Sequence, residues 1–157
     1  MGIIDISFNH KSTLLAASCM DSTIRLFEVS AAKLEPTTIE CDVMTNWKVE
    51  FVDDRVVTGG DSGTISSFDG TSKEKLKDTK VGDAFLTALA QPVEKSYFAA
   101  GNNNGDVFVQ NFVGDKIRVV SIKAHNKLVR ELTFVDSDTK LLSASDDATI
   151  KILDILS

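Results

Sequence analysis

Residues 141–154 read LLSASDDATIKILD, and this stretch decides the fold. Aliphatic residues alternate with small or polar ones on both sides of an acidic break at residues 146–149. Alternating β-branched and aliphatic side chains suit a pleated strand, and Asp-rich breaks of this kind are typical of tight turns. The stretch therefore predicts two antiparallel strands joined by a short turn.

The same pattern occurs three more times along the chain. The other copies are residues 14–28 (LLAASCMDSTIRLFE), 56–69 (VVTGGDSGTISSFD) and 97–109 (YFAAGNNNGDVFV). The turn position is held in order by Asp21, Ser62, Asn104 and Asp147. The steps between these positions are 41, 42 and 43 residues. A period of about 40–45 residues with four short strands per unit is typical of WD-type β-propeller blades.

The sequence thus predicts an all-β chain of about four propeller blades, each an antiparallel sheet of four strands. The predicted blades are residues 2–40, 46–80, 84–123 and 124–157. Outer strands are predicted at residues 33–40, 73–79 and 116–123, and the last blade lacks one.

Three and three-quarter blades would leave apolar blade faces and a strand edge uncovered. We therefore interpret the chain as part of a longer, seven-bladed protein, within the range of about four to eight blades that propellers typically close into a ring. A self-assembling half-propeller and an unusual small ring are the alternatives, and the sequence does not separate them. Missing blades or a second copy would be needed to cover the open faces.

The composition narrows the class of partner. The chain of 157 residues has a net charge of −6 and a sequence pI near 4.9, which disfavours binding to nucleic-acid phosphates or anionic membranes. No apolar run approaches the roughly 20 residues of a membrane-spanning helix, and the start does not resemble a signal peptide. Cys19 and Cys41 lie in different parts of the repeat pattern, so we expect reduced thiols in an intracellular protein.

The fourth repeat carries the full polar pattern of a WD repeat except its Trp. WD repeats place a His before the first strand, a Ser or Thr on the second strand, an Asp in the turn and a Trp on the third strand. His125, Ser143 and Asp147 match the first three positions, and Leu153 stands where the Trp would be. A buried carboxylate needs donors, which the imidazole and the turn amides supply. We predict a structural cluster rather than a catalytic site, because nothing supplies a nucleophile and pocket beside it.

Other motifs are similar to those of catalytic or ligand-binding sites, but they are better explained as turns. Residues 60–63 spell Gly-Asp-Ser-Gly, as in chymotrypsin-like proteases, yet they fall on the turn of the second repeat with no His nearby in the repeat pattern. Residues 101–105 open no helix and lack the Lys of a phosphate-binding loop. Two His and two separated Cys provide no zinc ligand set. We expect no catalysis, no cofactor and no metal.

Three stretches resemble the WD-repeat subunits of the superkiller (Ski) complex. They are residues 2–28, 46–60 and 124–147. The resemblance implies a seven-bladed, non-catalytic scaffold that holds a helicase and a helical-repeat protein, which feed RNA to the cytoplasmic exosome. It also implies a cytoplasmic location, extended to the nucleus in animal relatives that belong to the Paf transcription-elongation complex. RNA would be handled by the partners.

Partners of propellers typically bind the face around the central channel. Counting back four residues from Phe8, Phe51, Gln91 and Phe134 places Ile4, Trp47, Thr87 and Arg130 at that face. Trp and Arg are the types most enriched at interface hot spots, although Trp47 equally suits a core position and Arg130 suits a solvated rim. Residues flanking the turn positions are further candidates: Met20, Asp61, Asn103 and Asp146.

Two other functions remain as alternatives. A substrate receptor of a ubiquitin ligase would usually end a third strand in Trp-Asp-x-Arg, which residues 68–71 and 153–156 do not match. A peptide- or histone-reading propeller would need an aromatic and acidic cage, and the chain has a single Trp.

Overall fold

The computed structural model describes residues 2–30, 35–42, 44–92, 97–111 and 119–155. Residues 33–34 and 116–118, predicted to begin two outer strands, lie outside these ranges. The described residues form four antiparallel sheets whose strands follow one another in chain order, and their one helical element is a 3₁₀ turn at Asp61–Gly63. The predicted all-β propeller class, with four blades, is confirmed.

The strands are short, as alternating apolar residues between turn signals predict. Sheet 1 contains β1 (Ile3–Phe8), β2 (Leu14–Cys19), β3 (Thr23–Glu28) and β4 (Thr37–Glu40). Sheet 2 contains β5 (Lys48–Val52), β6 (Arg55–Gly59), β7 (Thr64–Asp69) and β8 (Lys75–Lys80). Sheet 3 contains β9 (Leu86–Ala90), β10 (Tyr97–Asn102), β11 (Asp106–Asn111) and β12 (Val119–Lys123). Sheet 4 contains β13 (Val129–Val135), β14 (Lys140–Ser145) and β15 (Ile150–Asp154), its three strands in the described chain.

The chain divides into two compact units, and the first, Met1–Asp83, contains sheets 1 and 2. One face of sheet 1 packs on one face of sheet 2 through a buried apolar cluster of Ala16, Ile24, Leu26, Ile39, Val49, Phe51, Val56 and Phe68. The first strands are also joined by polar contacts, since the Ser7 hydroxyl donates to Glu50 Oε2 over 2.6 Å. Cys41 packs against this core, and burial raises the pKa of its thiol to about 12.

The second unit, Ala84–Ser157, contains sheets 3 and 4. Its core is made largely of small and branched side chains: Ala88, Ala90, Ala99, Val107, Ala124, Val129, Leu132 and Leu141. Small residues let the two sheets approach closely. A Cβ added to Gly101 of β10 would lie 2.6 Å from the Val129 side chain of β13, so this position admits only glycine without movement of Val129.

The turns between the second and third strands share one backbone feature in every repeat. The residue after the turn position has a left-handed φ: +63° at Ser22, +63° at Gly63, +89° at Gly105 and +65° at Ala148. In the first three repeats its carbonyl accepts the N–H of a residue that follows the outer strand, namely Cys41, Val81 and His125, each over 2.9 Å. The sequence period therefore reflects a repeated backbone turn.

Candidate functional site

His125 is the centre of a buried polar cluster in the second unit. It lies in the loop before β13, and both His125 and Ser143 are 1% exposed. His125 Nε2 lies 2.8 Å from Ser143 Oγ, and His125 Nδ1 lies 3.0 Å from Asp147 Oδ2. The structure thus brings together the three residues that the sequence pattern singled out.

One tautomer satisfies this network. An ionised carboxylate only accepts hydrogen bonds, so the imidazole carries its proton on Nδ1 and donates it to Asp147. His125 Nε2 is then an acceptor, and the Ser143 hydroxyl donates to it. Ser143 therefore has a partner on the histidine, although Leu153 stands where WD repeats have a Trp.

Asp147 receives hydrogen bonds on both carboxylate oxygens. Oδ1 accepts the Thr149 hydroxyl over 2.5 Å and the Thr149 N–H over 3.0 Å. Oδ2 accepts from His125 and from the Asn126 N–H, which lies 3.2 Å away. The Thr149 hydroxyl, with the Asn126 amide and His125, holds the pKa of the Asp147 carboxyl well below its ordinary value.

The cluster has the connectivity of a Ser–His–Asp triad, but its burial argues against catalysis. A nucleophilic hydroxyl must reach the reacting atom of a substrate, and the Ser143 side chain is enclosed in the sheet. The serine of the Gly-Asp-Ser-Gly motif, Ser62, lies instead on the 3₁₀ turn of the first unit. The arrangement ties the turn of sheet 4 to the loop that enters the sheet.

Asp147→Asn should weaken the dependence of stability on acid pH. Because folding lowers the Asp147 pKa, its contribution is fully present above the unfolded value of about 3.9 and is lost as pH falls towards the folded value. We expect the variant to be less stable at pH 7, with the difference shrinking as pH approaches 3. Urea unfolding of both proteins at several pH values measures this. A constant difference across that range would contradict it.

Buried amides that the sequence reasoning missed make similar ties elsewhere. The Asn46 side chain donates to the carbonyls of Cys19 and Thr23, over 3.0 and 2.9 Å, and so fixes the loop before β5 against the first turn. The Asn102 side chain donates to Asp106 Oδ2 over 3.0 Å, and its oxygen accepts the Asn104 and Asp106 N–H groups. The only sequence signal for either residue is an Asn beside a strand end, which is also usual for a solvated turn.

The predicted partner-binding residues lie at one end of the strands of each sheet. We call this end of the sheet the turn edge. There the turn between the second and third strands meets the start of the first strand. The N–H groups of Met20, Asp61, Asn103 and Asp146 donate to the carbonyls of Gly2, Met44, Phe85 and Leu128. Met20, Asp61, Asn103 and Asp146 are all exposed, whereas Ile4 and Trp47 are half-buried.

Two of the predicted residues are engaged within the second unit. The Thr87 hydroxyl donates to the Val129 carbonyl over 2.6 Å, which joins β9 to β13. Arg130 forms a two-pronged ion pair with Asp146, in which Nε and Nη2 each lie 2.7 Å from a carboxylate oxygen. This pair lowers the pKa of Asp146 and raises that of Arg130. Both side chains remain exposed enough for a partner to contact them.

Metal and membrane sites find no support in the described ranges. No group of three or more His, Cys, Asp or Glu side chains among these residues could hold a metal ion. The same residues include no helix long and apolar enough to cross a bilayer. Cys19 and Cys41 are both free thiols.

Comparison with known proteins agrees with this geometry. Residues 1–28 and 116–154 match the family described as "WD domain, G-beta repeat". Two segments of the chain are therefore similar to WD repeats, and its sheets have the β-propeller fold.

The curated proteins that the chain resembles are varied, and some of them are named as WD repeat-containing. It is 28% identical to WD repeat-containing protein SL1-17 of Schistosoma mansoni, over 99% of this chain and 51% of that protein. It is 25% identical to the WD repeat-containing protein 55 homolog of Dictyostelium discoideum (98% and 37%) and 25% identical to the Periodic tryptophan protein 1 homolog of Drosophila melanogaster (96% and 34%). The chain thus spans about half or less of these relatives' lengths.

Solved structures share the fold. The computationally designed Ika4 protein superposes with a TM-score of 0.82 at 21% identity, over 98% of this chain and 91% of that one. A chain of the mitotic checkpoint complex superposes with a TM-score of 0.83 at 13% identity, over 97% and 47%.

Proposed function

We propose that this chain is a non-catalytic scaffold that binds other proteins through the turn edge of its first unit. The observation that carries the proposal is a group of exposed apolar side chains at that edge. Ile3 is 61% exposed, Met20 is 68% exposed and Met44 is 41% exposed. Large apolar side chains gathered at one place on a surface commonly mark interaction sites.

The local structure holds these side chains together. The backbone of Met20 is bonded to Gly2, directly before Ile3, and the backbone of Asp61 is bonded to Met44. Asn46 fixes the segment that carries Met44 and Trp47 against the turn that carries Met20. Methionine adapts its shape to a partner, and a Trp beside it supplies a rigid anchor.

The turn edge of the second unit has a different character. The Arg130–Asp146 pair and the exposed Asn103 make it polar. An exposed ion pair contributes little to affinity but guides a partner into the correct register. We therefore assign the affinity of the first unit to Met20 and its neighbours, and we treat Arg130 as a separate polar contact of the second unit.

The more specific proposal is a subunit of a superkiller-type complex, with a helicase and a helical-repeat protein as partners. Its support is the resemblance of residues 2–28, 46–60 and 124–147 to that family. The net charge of −6 favours protein partners over RNA. A cytoplasmic location, with a nuclear pool, belongs to the same proposal.

Met20→Glu should weaken binding to the helicase and helical-repeat subunits by about tenfold or more, because a charge replaces an apolar contact at the interface. Arg130→Ala should have a smaller effect, mainly on the association rate. Biolayer interferometry with the purified partner subunits measures both. Val29→Glu is the matched control for Met20→Glu, since Val29 is an exposed apolar residue that follows β3, away from the turn edge.

Two results would count against these proposals. If the partners bind and Met20→Glu matches the control, the turn edge is not the binding site. If neither subunit binds the unmodified chain, the superkiller assignment is wrong, and only the broader scaffold proposal stands.

A further inference from the structure

Equivalent positions in the repeats show what each sheet face is built to contact. In the first unit, Ile24 and Leu26 of β3 are 0% and 4% exposed because their face of sheet 1 packs on sheet 2. Val49 and Phe51 of β5 are both 0% exposed on the opposing face of sheet 2. We call the first kind of face the leading face and the second kind the trailing face.

Sheet 4 has a leading face that is uncovered. In sheet 1, Ile24 lies opposite Ser18 and Leu26 lies opposite Ala16. In sheet 4, Ile150 lies opposite Ala144 and Ile152 lies opposite Leu142, which is the same register. Ile150 and Ile152 are therefore the equivalents of two fully buried residues. In sheet 4 they are 74% and 67% exposed.

Sheet 1 has a trailing face that is also uncovered. In sheet 1, Phe8 lies opposite Leu15 and Ile6 lies opposite Ala17. In sheet 2, Phe51 lies opposite Val56 and Val49 lies opposite Thr58, which is the same register. Ile6 and Phe8 are thus equivalent to the buried Val49 and Phe51. They are 57% and 48% exposed.

We propose that two copies of this chain associate head to tail, with the leading face of sheet 4 in each copy on the trailing face of sheet 1 in the other. Within the first unit, the leading face of sheet 1 already packs on the trailing face of sheet 2. In the proposed pair, each uncovered face would make the same kind of contact with the other copy. In a two-fold pair residue i contacts j and j contacts i, which covers both faces at once. Two copies carry twice the four sheets of one chain, within the range of about four to eight blades known for propellers.

Light scattering and sedimentation of the full chain test the proposal. The expected mass is twice the 17.0 kDa of one chain. Ile6→Glu and Ile152→Glu should each give a folded protein of half that mass, because each places a charge in both interfaces of the pair. Leu76→Glu is the matched control, since Leu76 is an exposed apolar residue of the outer strand β8, and it should remain a dimer. Circular dichroism checks that each variant is folded.

Mixing the two variants distinguishes head-to-tail association from other modes. Ile6→Glu keeps an intact sheet 4 face and Ile152→Glu keeps an intact sheet 1 face, so the mixture should recover one interface and form a mixed dimer. Recovery of that dimer supports the proposal. A monomeric unmodified chain, a dimer that survives one of the two substitutions, or a stoichiometric complex with a different protein on these faces would overturn it. The outcome is separate from the proposed binding at the turn edge, because Met20→Glu leaves Ile6, Phe8, Ile150 and Ile152 unchanged. A stable pair with eight sheets would, however, contradict the seven-bladed ring that the superkiller resemblance implies.

Discussion

His125→Ala is expected to lower the free energy of unfolding by about 3 kcal/mol. The substitution removes a large, fully buried side chain and leaves a cavity in sheet 4. It also removes the hydrogen-bond partner of Ser143, whose hydroxyl is buried and would remain unsatisfied at a cost of about 1–3 kcal/mol. For a chain of this length, such a loss corresponds to a fall in melting temperature of roughly 6–12 °C.

Denaturant unfolding followed by circular dichroism measures this change, and the chain supplies its own control. His10 is the other histidine, and it is exposed in the loop after β1. His10→Ala should therefore change stability by less than about 0.5 kcal/mol. Equal losses for the two substitutions would show that the buried network around His125 contributes little.

Gly105→Ala is expected to cost more than about 2 kcal/mol. Gly105 has a φ of +89°, where a residue with a Cβ is strained by about 1–2 kcal/mol. The added Cβ would also overlap the carbonyl oxygen of His125, which is backbone and cannot rotate away. The substitution therefore pushes apart the turn of sheet 3 and the loop that enters sheet 4.

The equivalent position in the fourth repeat, Ala148, allows the reverse substitution to be tested. Ala148 has a φ of +65°, so Ala148→Gly removes strain while adding the chain entropy of glycine. The net effect should be a gain of up to about 1 kcal/mol. Thermal unfolding of both variants measures the contrast. Two losses of similar size would mean that the left-handed turn is not what limits these positions.

Most of the fold could be predicted from the regular spacing of the turns in the sequence. Alternation in residues such as Leu141, Ile150 and Ile152 predicts the strands, and the spacing of Asp21, Ser62, Asn104 and Asp147 predicts the four sheets. His125, Ser143 and Asp147 could be named in advance because they match the polar pattern of WD repeats, and a buried carboxylate requires hydrogen-bond donors. A pattern within one repeat was sufficient here, because His125, Ser143 and Asp147 all lie in the fourth repeat.

Contacts between sheets were harder to predict. Asn46 bonds to carbonyl oxygens 23 and 27 residues earlier, and backbone acceptors carry no side-chain signature. Thr87 stays a predicted partner-binding residue, and nothing in the sequence indicated that its hydroxyl donates to the carbonyl of Val129, 42 residues later. The repeat position alone does not determine exposure, since Leu26 and Ile152 occupy equivalent positions and differ in what lies against them. The uncovered blade faces followed instead from the number of strands in the sequence.

The three-strand sheet has a consequence for how the protein could receive a peptide. In sheets 1 to 3 the third strand is flanked by an outer strand, whereas in the described chain β15 pairs with β14 on one side only. The backbone amides and carbonyls along an edge strand are a template for main-chain pairing with any extended segment. Such pairing depends weakly on side-chain identity, because backbone groups make the hydrogen bonds. In the described residues, β15 thus offers unpaired backbone groups that the third strands of sheets 1 to 3 do not.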